Sequence, residues 1–141
     1  MRRVSTLCLV VALTGAACAH QPSADDLYRD LGETQGIAAI VDGFLLHLAG
    51  NDRIVDTFAD TDIAEFRRLL IEQLCDLSGG PCEYSGRSMA EAHRDMDVSA
   101  MQFNALVEDF MKAMDDAGVP RGAQNRLLAL LAPMHGEIVA P

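Results

Sequence analysis

Between residues 77 and 99 the chain breaks, loops and resumes around one histidine, and this stretch limits the folds open to it more than any other. Gly79-Gly80-Pro81 stops a preceding helix, because glycine pays a high entropic cost there and proline lacks the N–H a helix interior needs. Cys82-Glu83-Tyr84-Ser85-Gly86-Arg87 follows as a loop. Ser88-Met89-Ala90-Glu91 then has the serine-to-glutamate spacing of a capping box, which starts a short helix carrying His93. Taken alone, such a histidine is more often an ordinary polar residue than a ligand.

The flanking segments are all helical in pattern. Ile37, Ile40, Val41, Phe44, Leu45 and Leu48 recur at three- and four-residue spacing, predicting an amphipathic helix over about 35–48. A shorter acidic-start helix precedes it and ends near Gly32, and Gly50-Asn51-Asp52 closes it. After a turn carrying Ile54, Val55 and Phe58, Asp62-Ile63-Ala64-Glu65 reads as a capping box opening a helix to about Leu77. Its apolar face is Ile63, Phe66, Leu69, Leu70, Leu74 and Leu77. Ser99 to Gln102 starts another helix, with Val98 and Phe103 placed as a hydrophobic staple and Phe110, Met111 and Met114 further along the buried face. Gly118 stops it, Pro120 suits the first turn of the last helix, and Pro133 predicts a kink or a split near that helix's end. No strand-like alternation and no repeat occurs, so the chain is expected to be all-α, and 141 residues suit one domain with a real core.

Gly-Gly-Pro, Tyr84, Gly86-Arg87, Met89 and His93 at these separations resemble the group I truncated haemoglobins, and the resemblance covers about 26–139. It implies the two-over-two helical sandwich of a shortened globin, with haem b as cofactor and His93 as the proximal ligand to its iron. Haem needs an axial ligand, a large apolar slot and a cation near its propionates. The resemblance supplies all three: His93; Phe44, Leu45, Phe58, Phe66, Leu70 and Leu74 opposite, with Met89, Val98 and Phe103 beside it; and Arg87 for a propionate. Each apolar residue would singly be ordinary core, and Arg87 a solvated charge. No C-x-x-C-H occurs, which excludes covalent c-type attachment. His47 is the one other histidine worth testing as an iron ligand; His135 suits the end of the last helix, and His20 lies outside the domain.

The distal side departs from the family. Oxygen on ferrous haem carries partial negative charge, and many group I members offer it a tyrosine and a glutamine. Leu45 and Leu70 occupy the matching positions, with Phe66 beside them, and none can donate a hydrogen bond. Gln73, one turn further, is expected to be solvated. Weak or fast-releasing oxygen binding follows, with ready oxidation and better retention of carbon monoxide and nitric oxide.

The chain divides into a leader at 1–19, a polar tether at 20–25 and the globin domain at 26–141. Arg2 and Arg3 precede sixteen uncharged residues, 4–19, too few for a membrane span and suited to an export signal. Leu13 to Cys18 resembles a lipobox that would lipidate Cys18 and attach the protein to a membrane, although Gly15 departs from the motif. Ala17-Cys18-Ala19 equally meets the rule for simple cleavage to a periplasmic protein. Either route predicts export. In an oxidising compartment Cys75 and Cys82 could pair, or stand as one buried and one exposed thiol. The net charge is −10, and without the two leader arginines it becomes −12, which argues against nucleic acid as a partner. A diatomic gas (oxygen, nitric oxide or carbon monoxide) and an unidentified reductase are the expected partners. A ligand-binding haemoprotein is favoured over an enzyme. A peroxidase-like redox protein of the cell envelope and a haem-free helical lipoprotein are the competing classes.

Overall fold

A computed structural model describes residues 24–139. The leader and most of the tether lie outside these residues. The order is α1 (Ala24–Asp30), α2 (Glu33–Ala49), a 3-10 turn at Val55–Phe58, α3 (Ile63–Leu77), α4 (Met89–Ala92), α5 (Ala100–Asp116), α6 (Arg121–Leu131), a second 3-10 turn at Ala132–Met134, and α7 (His135–Ile138). No strand occurs among the described residues. The first helix begins at Ala24, so the last two residues of the expected tether are helical.

α2 is the centre of the fold, with α5 packed along it on one side and α3 on another. It buries Ile37, Ile40, Val41, Phe44 and Leu48 against Ala105, Phe110, Ala113 and Met114 of α5, Leu74 and Cys75 of α3, and Leu127 of α6. α2 starts at Glu33, two residues before the expected start at about 35. Gly32 at φ 82° and Glu33 at φ 58° reverse the chain out of α1. The turn brings the Leu31 carbonyl within 2.1 Å of where a Cβ on Gly36 would stand, so only glycine fits there.

The caps explain the boundaries. Ser99 and Gln102 make both bonds of a capping box, as do Ser88 and Glu91. At Asp62 only half of the expected box forms: its side chain accepts from the Glu65 N–H, while the Glu65 carboxylate pairs with Arg68 instead of turning back. Pro133 divides the last helix as its sequence implies. Because proline cannot continue an α-helical ladder, α6 ends at Leu131, a 3-10 turn carries Pro133, and α7 restarts at His135. His135 therefore opens a short helix rather than closing a long one.

Candidate functional site

His93 is the residue immediately after α4, with φ −106° and ψ 8°, and its backbone N–H bonds to the Met89 carbonyl. Its ring Nδ1 lies 2.8 Å from that same carbonyl oxygen. A carbonyl can only accept, so Nδ1 carries the proton and Nε2 keeps its lone pair. Among the described residues nothing hydrogen-bonds to Nε2. The ring is half-buried, fixed in direction and presents a basic nitrogen. Second-sphere bonds of this kind orient metal-bound histidines.

Local sequence makes this possible. Gly79 at φ 86° ends α3 in the left-handed conformation, and the Gly80 N–H bonds back to the Cys75 carbonyl. The Tyr84 hydroxyl donates to the Arg87 carbonyl at 2.9 Å across Gly86, where a Cβ would stand 2.2 Å from that hydroxyl oxygen. Burial pushes the Tyr84 phenol up, which keeps it a donor. Ser88 and Glu91 then fix the start of α4, and the hydrogen bonds from Ser88 hold the Glu91 carboxyl below its ordinary value. Beyond His93, Asp95 and Asp97 adopt φ 63° and 47°, turning the chain within a few residues to bury Val98 and start α5.

Contacts run in series from α3 through α4, α7, α5 and the first 3-10 turn back to α3. The Gln73 amide on α3 lies 3.7 Å from the sulfur of Met89 on α4 and 3.7 Å from that of Met134. Ala90 of α4 donates to Glu137 of α7 at 3.3 Å. The ring of His135 on α7 meets Phe103 of α5 edge-on, with centroids 4.7 Å apart. Gln102 of α5 donates to Thr57 of the 3-10 turn at 3.0 Å, and Phe58 packs on Phe66 of α3 at 5.3 Å. Leu45, Phe58, Phe66, Leu70, Met89 and Phe103 are each only half-buried, although all are large and apolar. Of these, Leu45, Phe58, Phe66 and Leu70 pack their covered sides against the buried core.

Three of the expected wall residues sit deeper. Phe44 is 1% exposed and stacked edge-on against Phe110 at 5.7 Å; Leu74 is 0% and Val98 6% exposed. Protein already covers all three, and Phe44 and Leu74 belong to the core. Arg87 is exposed, and among the described residues its guanidinium makes no hydrogen bond or ion pair. His47 turns elsewhere: its Nε2 lies 2.7 Å from Asp116 at the α2–α5 seam. Gln73, expected in solvent, instead reaches across from α3 to α4. Glu137 was not legible as a contributor, because only the fold brings it to the start of α4. An oriented imidazole, half-buried apolar side chains and an exposed arginine are the ligand, lining and cation that a haem requires.

The arrangement is that of a small helical haem protein of the globin class. The chain matches the bacterial-like globin family over residues 26–140. It is 33% identical over 114 residues to the group 1 truncated haemoglobin of Synechocystis sp., spanning 77% of this chain and 92% of that one. The group 1 truncated haemoglobin of Tetrahymena pyriformis is 29% identical over 99 residues, 70% of this chain and 82% of the relative. In fold, the Fe(III) form of the Tetrahymena pyriformis truncated haemoglobin superimposes with a TM-score of 0.77 at 24% identity, covering 82% of this chain and 98% of that one. The chain belongs to the bacterial-like globin family and, within it, is a group I truncated haemoglobin, a haem-binding globin.

Proposed function

We propose that His93 holds the haem iron through Nε2 and that a diatomic gas binds on the opposite face, beside Leu45, Phe66 and Leu70. The observation that carries this reading is the 2.8 Å contact of His93 Nδ1 with the Met89 carbonyl, which leaves Nε2 basic, aimed and unclaimed. Haem b supplies the iron to which oxygen, nitric oxide or carbon monoxide coordinates. The chain's part is to orient the imidazole, to exclude water with apolar walls and to offer Arg87 to a propionate. Leu45, Phe66 and Leu70 give a polarised ligand no hydrogen bond, so oxygen leaves quickly and carbon monoxide is kept. These properties suit a carrier or sensor of gases more than an enzyme that needs a long-lived oxygen complex. A reductase that returns the iron to the ferrous state completes the scheme.

Titrating the full chain with haem, beside His93→Ala, tests the reading. We expect a sharp Soret band saturating at one haem per chain, lost or shifted in the variant. Equal and poor uptake by both would move the haem-free helical alternative to the front. We also place the protein outside the cytoplasm. The basic, then apolar, leader supports export, and so does a Cys75–Cys82 disulfide, which belongs in an oxidising compartment. Cell fractionation beside Cys18→Ala separates lipid anchoring from simple cleavage: release of the variant into the soluble fraction marks Cys18 as the anchor.

A further inference from the structure

We propose that the Cys75–Cys82 bridge is a redox-responsive clamp on the segment that carries His93, so that thiol–disulfide exchange sets how firmly the iron ligand is held; this rests on the reading of His93 given above. Cys75 lies in the last turn of α3 and is 0% exposed. Cys82 is half-buried in the following loop, and the two sulfurs are joined with their Cα atoms 5.7 Å apart. The bridge is seated deeply. A Cβ on the adjacent Gly80 would stand 2.6 Å from the Tyr28 ring and 2.7 Å from the Cys75 sulfur.

Ahead of Cys82 the Ser78 hydroxyl and Gly80 N–H stay bonded to the Cys75 carbonyl, but beyond Cys82 the remaining ties between this loop and α3 are all open to water. Tyr84 N–H donates to Asp76 at 3.2 Å, and Ser85 donates to Glu72 through its N–H at 3.3 Å and its hydroxyl at 2.7 Å. Arg68 reaches the Ser85 hydroxyl oxygen at 3.2 Å. Exposed hydrogen bonds of this kind open readily, because water replaces them. From Ser85 onward the loop has no slack. Tyr84 is bonded to Arg87, Ser88 and Glu91 cap α4, and Met89 holds the His93 ring. Motion released at Cys82 therefore reaches the imidazole.

The chemistry balances with an external dithiol. One of its sulfurs attacks the half-buried Cys82 sulfur, the Cys75–Cys82 bond breaks, and Cys75 leaves and takes a proton. The second sulfur of the reagent then displaces Cys82, which is protonated in turn. The dithiol departs as a disulfide, having given two electrons and two protons to the protein pair. Cys75 and Cys82 are thus positioning residues, acting on His93 through the loop.

The test uses the full chain, oxidised or treated with dithiothreitol that is then removed under nitrogen, beside a Cys75→Ala/Cys82→Ala variant that keeps Cys8 and Cys18. Two readouts are followed: amide hydrogen exchange of Tyr84 and Ser85 in the haem-free chain, and transfer of ferric haem to excess apomyoglobin. Reduction is expected to speed exchange at both amides and haem transfer about tenfold, corresponding to about 1.4 kcal/mol. Circular dichroism should show unchanged helix content. The variant should behave as the reduced form whether treated or not. The wild-type comparison needs no variant and stands even if the double substitution fails to fold. The proposal is overturned by iodoacetamide labelling of Cys75 or Cys82 in the oxidised chain, by equal exchange and transfer in both states, or by a dithiol effect that persists in the variant. If the oxidised chain takes no haem, the reading of His93 fails while the exchange data still decide whether the clamp exists.

Discussion

α2 and α3 are amphipathic helices of 17 and 15 residues, yet the fold treats their apolar faces differently. α2 buries five residues along its whole length, none more than 3% exposed. α3 buries only Leu74 and Cys75 near its C-terminal end, leaves Phe66, Leu70 and Ile71 half-covered, and shows 43% of Ile63. The difference is what each face meets. α2 is sandwiched between α5 and α3, whereas α3 is covered mainly on its α2 side. An apolar stripe tells where a helix needs covering, not what will cover it. Along α2 the cover is complete; along much of α3 it is partial, with Phe66, Leu70 and Ile71 packed against the core but still half-open.

The largest effect tests that contrast directly. Met114 of α5 is 0% exposed, so Met114→Ala should cost the haem-free chain about 2–5 kcal/mol. Leu70→Ala removes a similar volume from a half-buried position and should cost only about half of the ~1.5–3 kcal/mol that a fully buried side chain contributes. Urea unfolding of both, without haem, measures the pair. With haem added the order should tighten, because Leu70 then gains a partner to lose. Equal losses in the haem-free chain would mean that the α3 face is closed core and that the slot does not exist.

The next effect asks whether the slot is apolar by composition alone. Leu45→Tyr places a hydroxyl donor on the ligand side, and a hydrogen bond to a charged or polarised group is worth about 1.5–3 kcal/mol. Oxygen dissociation from the ferrous protein, followed by stopped flow, should slow about ten- to a hundredfold, with carbon monoxide changed far less. Leu45→Phe, matched in ring but not in donor, should leave the oxygen rate near that of the wild type. A slow rate in the wild type itself would show that a donor already serves the ligand.

Most of the fold was legible because helix signals are local. The two complete capping boxes, the glycine stop after α3 and the split at Pro133 each act within four residues. The first residues of α2 were missed because a left-handed pair, Gly32 and Glu33, replaces a side-chain cap. The short capped helix that ends at His93 was legible from Ser88 and Glu91, and the hydrogen bond of His93 to Met89 spans four residues. What sequence could not give is contact between distant residues. Gln73 touches Met89 and Met134, Glu137 reaches Ala90, and Phe44 lies between Phe110 and Phe66. Periodicity placed Phe44 and Phe66 on inward faces alike, and only packing separates the fully buried ring from the half-buried one.

A smaller effect concerns the closed side and its pH dependence. Asp109 of α5 is 1% exposed and accepts from Asn51 at 2.6 Å and Lys112 at 3.0 Å. Burial pushes this carboxyl up, but the bonds from Asn51 and Lys112, with the charges of Lys112 and His47, outweigh it and hold it below the ordinary value. A depressed carboxyl stabilises the fold above its unfolded pKa, and that contribution is lost as pH falls through the folded one. Asn51→Ala removes one opposing bond, so the folded pKa rises. Stability at neutral pH should fall by about 1–2 kcal/mol. Its acid-side decline should begin at higher pH than in the wild type. Urea midpoints across the acid range check both; an unmoved acid limb would assign the depression to Lys112 instead.

The smallest effect returns to the seam between the two helices compared above. Arg67 of α3 makes a two-pronged pair with Asp42 of α2, at 2.5 and 2.9 Å, on the exposed flank of their interface. The Arg67 bond is the main reason the Asp42 carboxyl sits below its ordinary value. With side chains 41% and 52% exposed, the pair is screened by water and salt, so Arg67→Ala should cost about 0.2–1 kcal/mol, less in high salt. Thermal unfolding at low and high ionic strength measures it. A salt-independent loss well above ~1 kcal/mol would mean that α3 hangs on α2 by this pair. A small, salt-sensitive loss leaves the attachment to the apolar packing of α3, fully buried at Leu74 and Cys75 and partial at Phe66, Leu70 and Ile71.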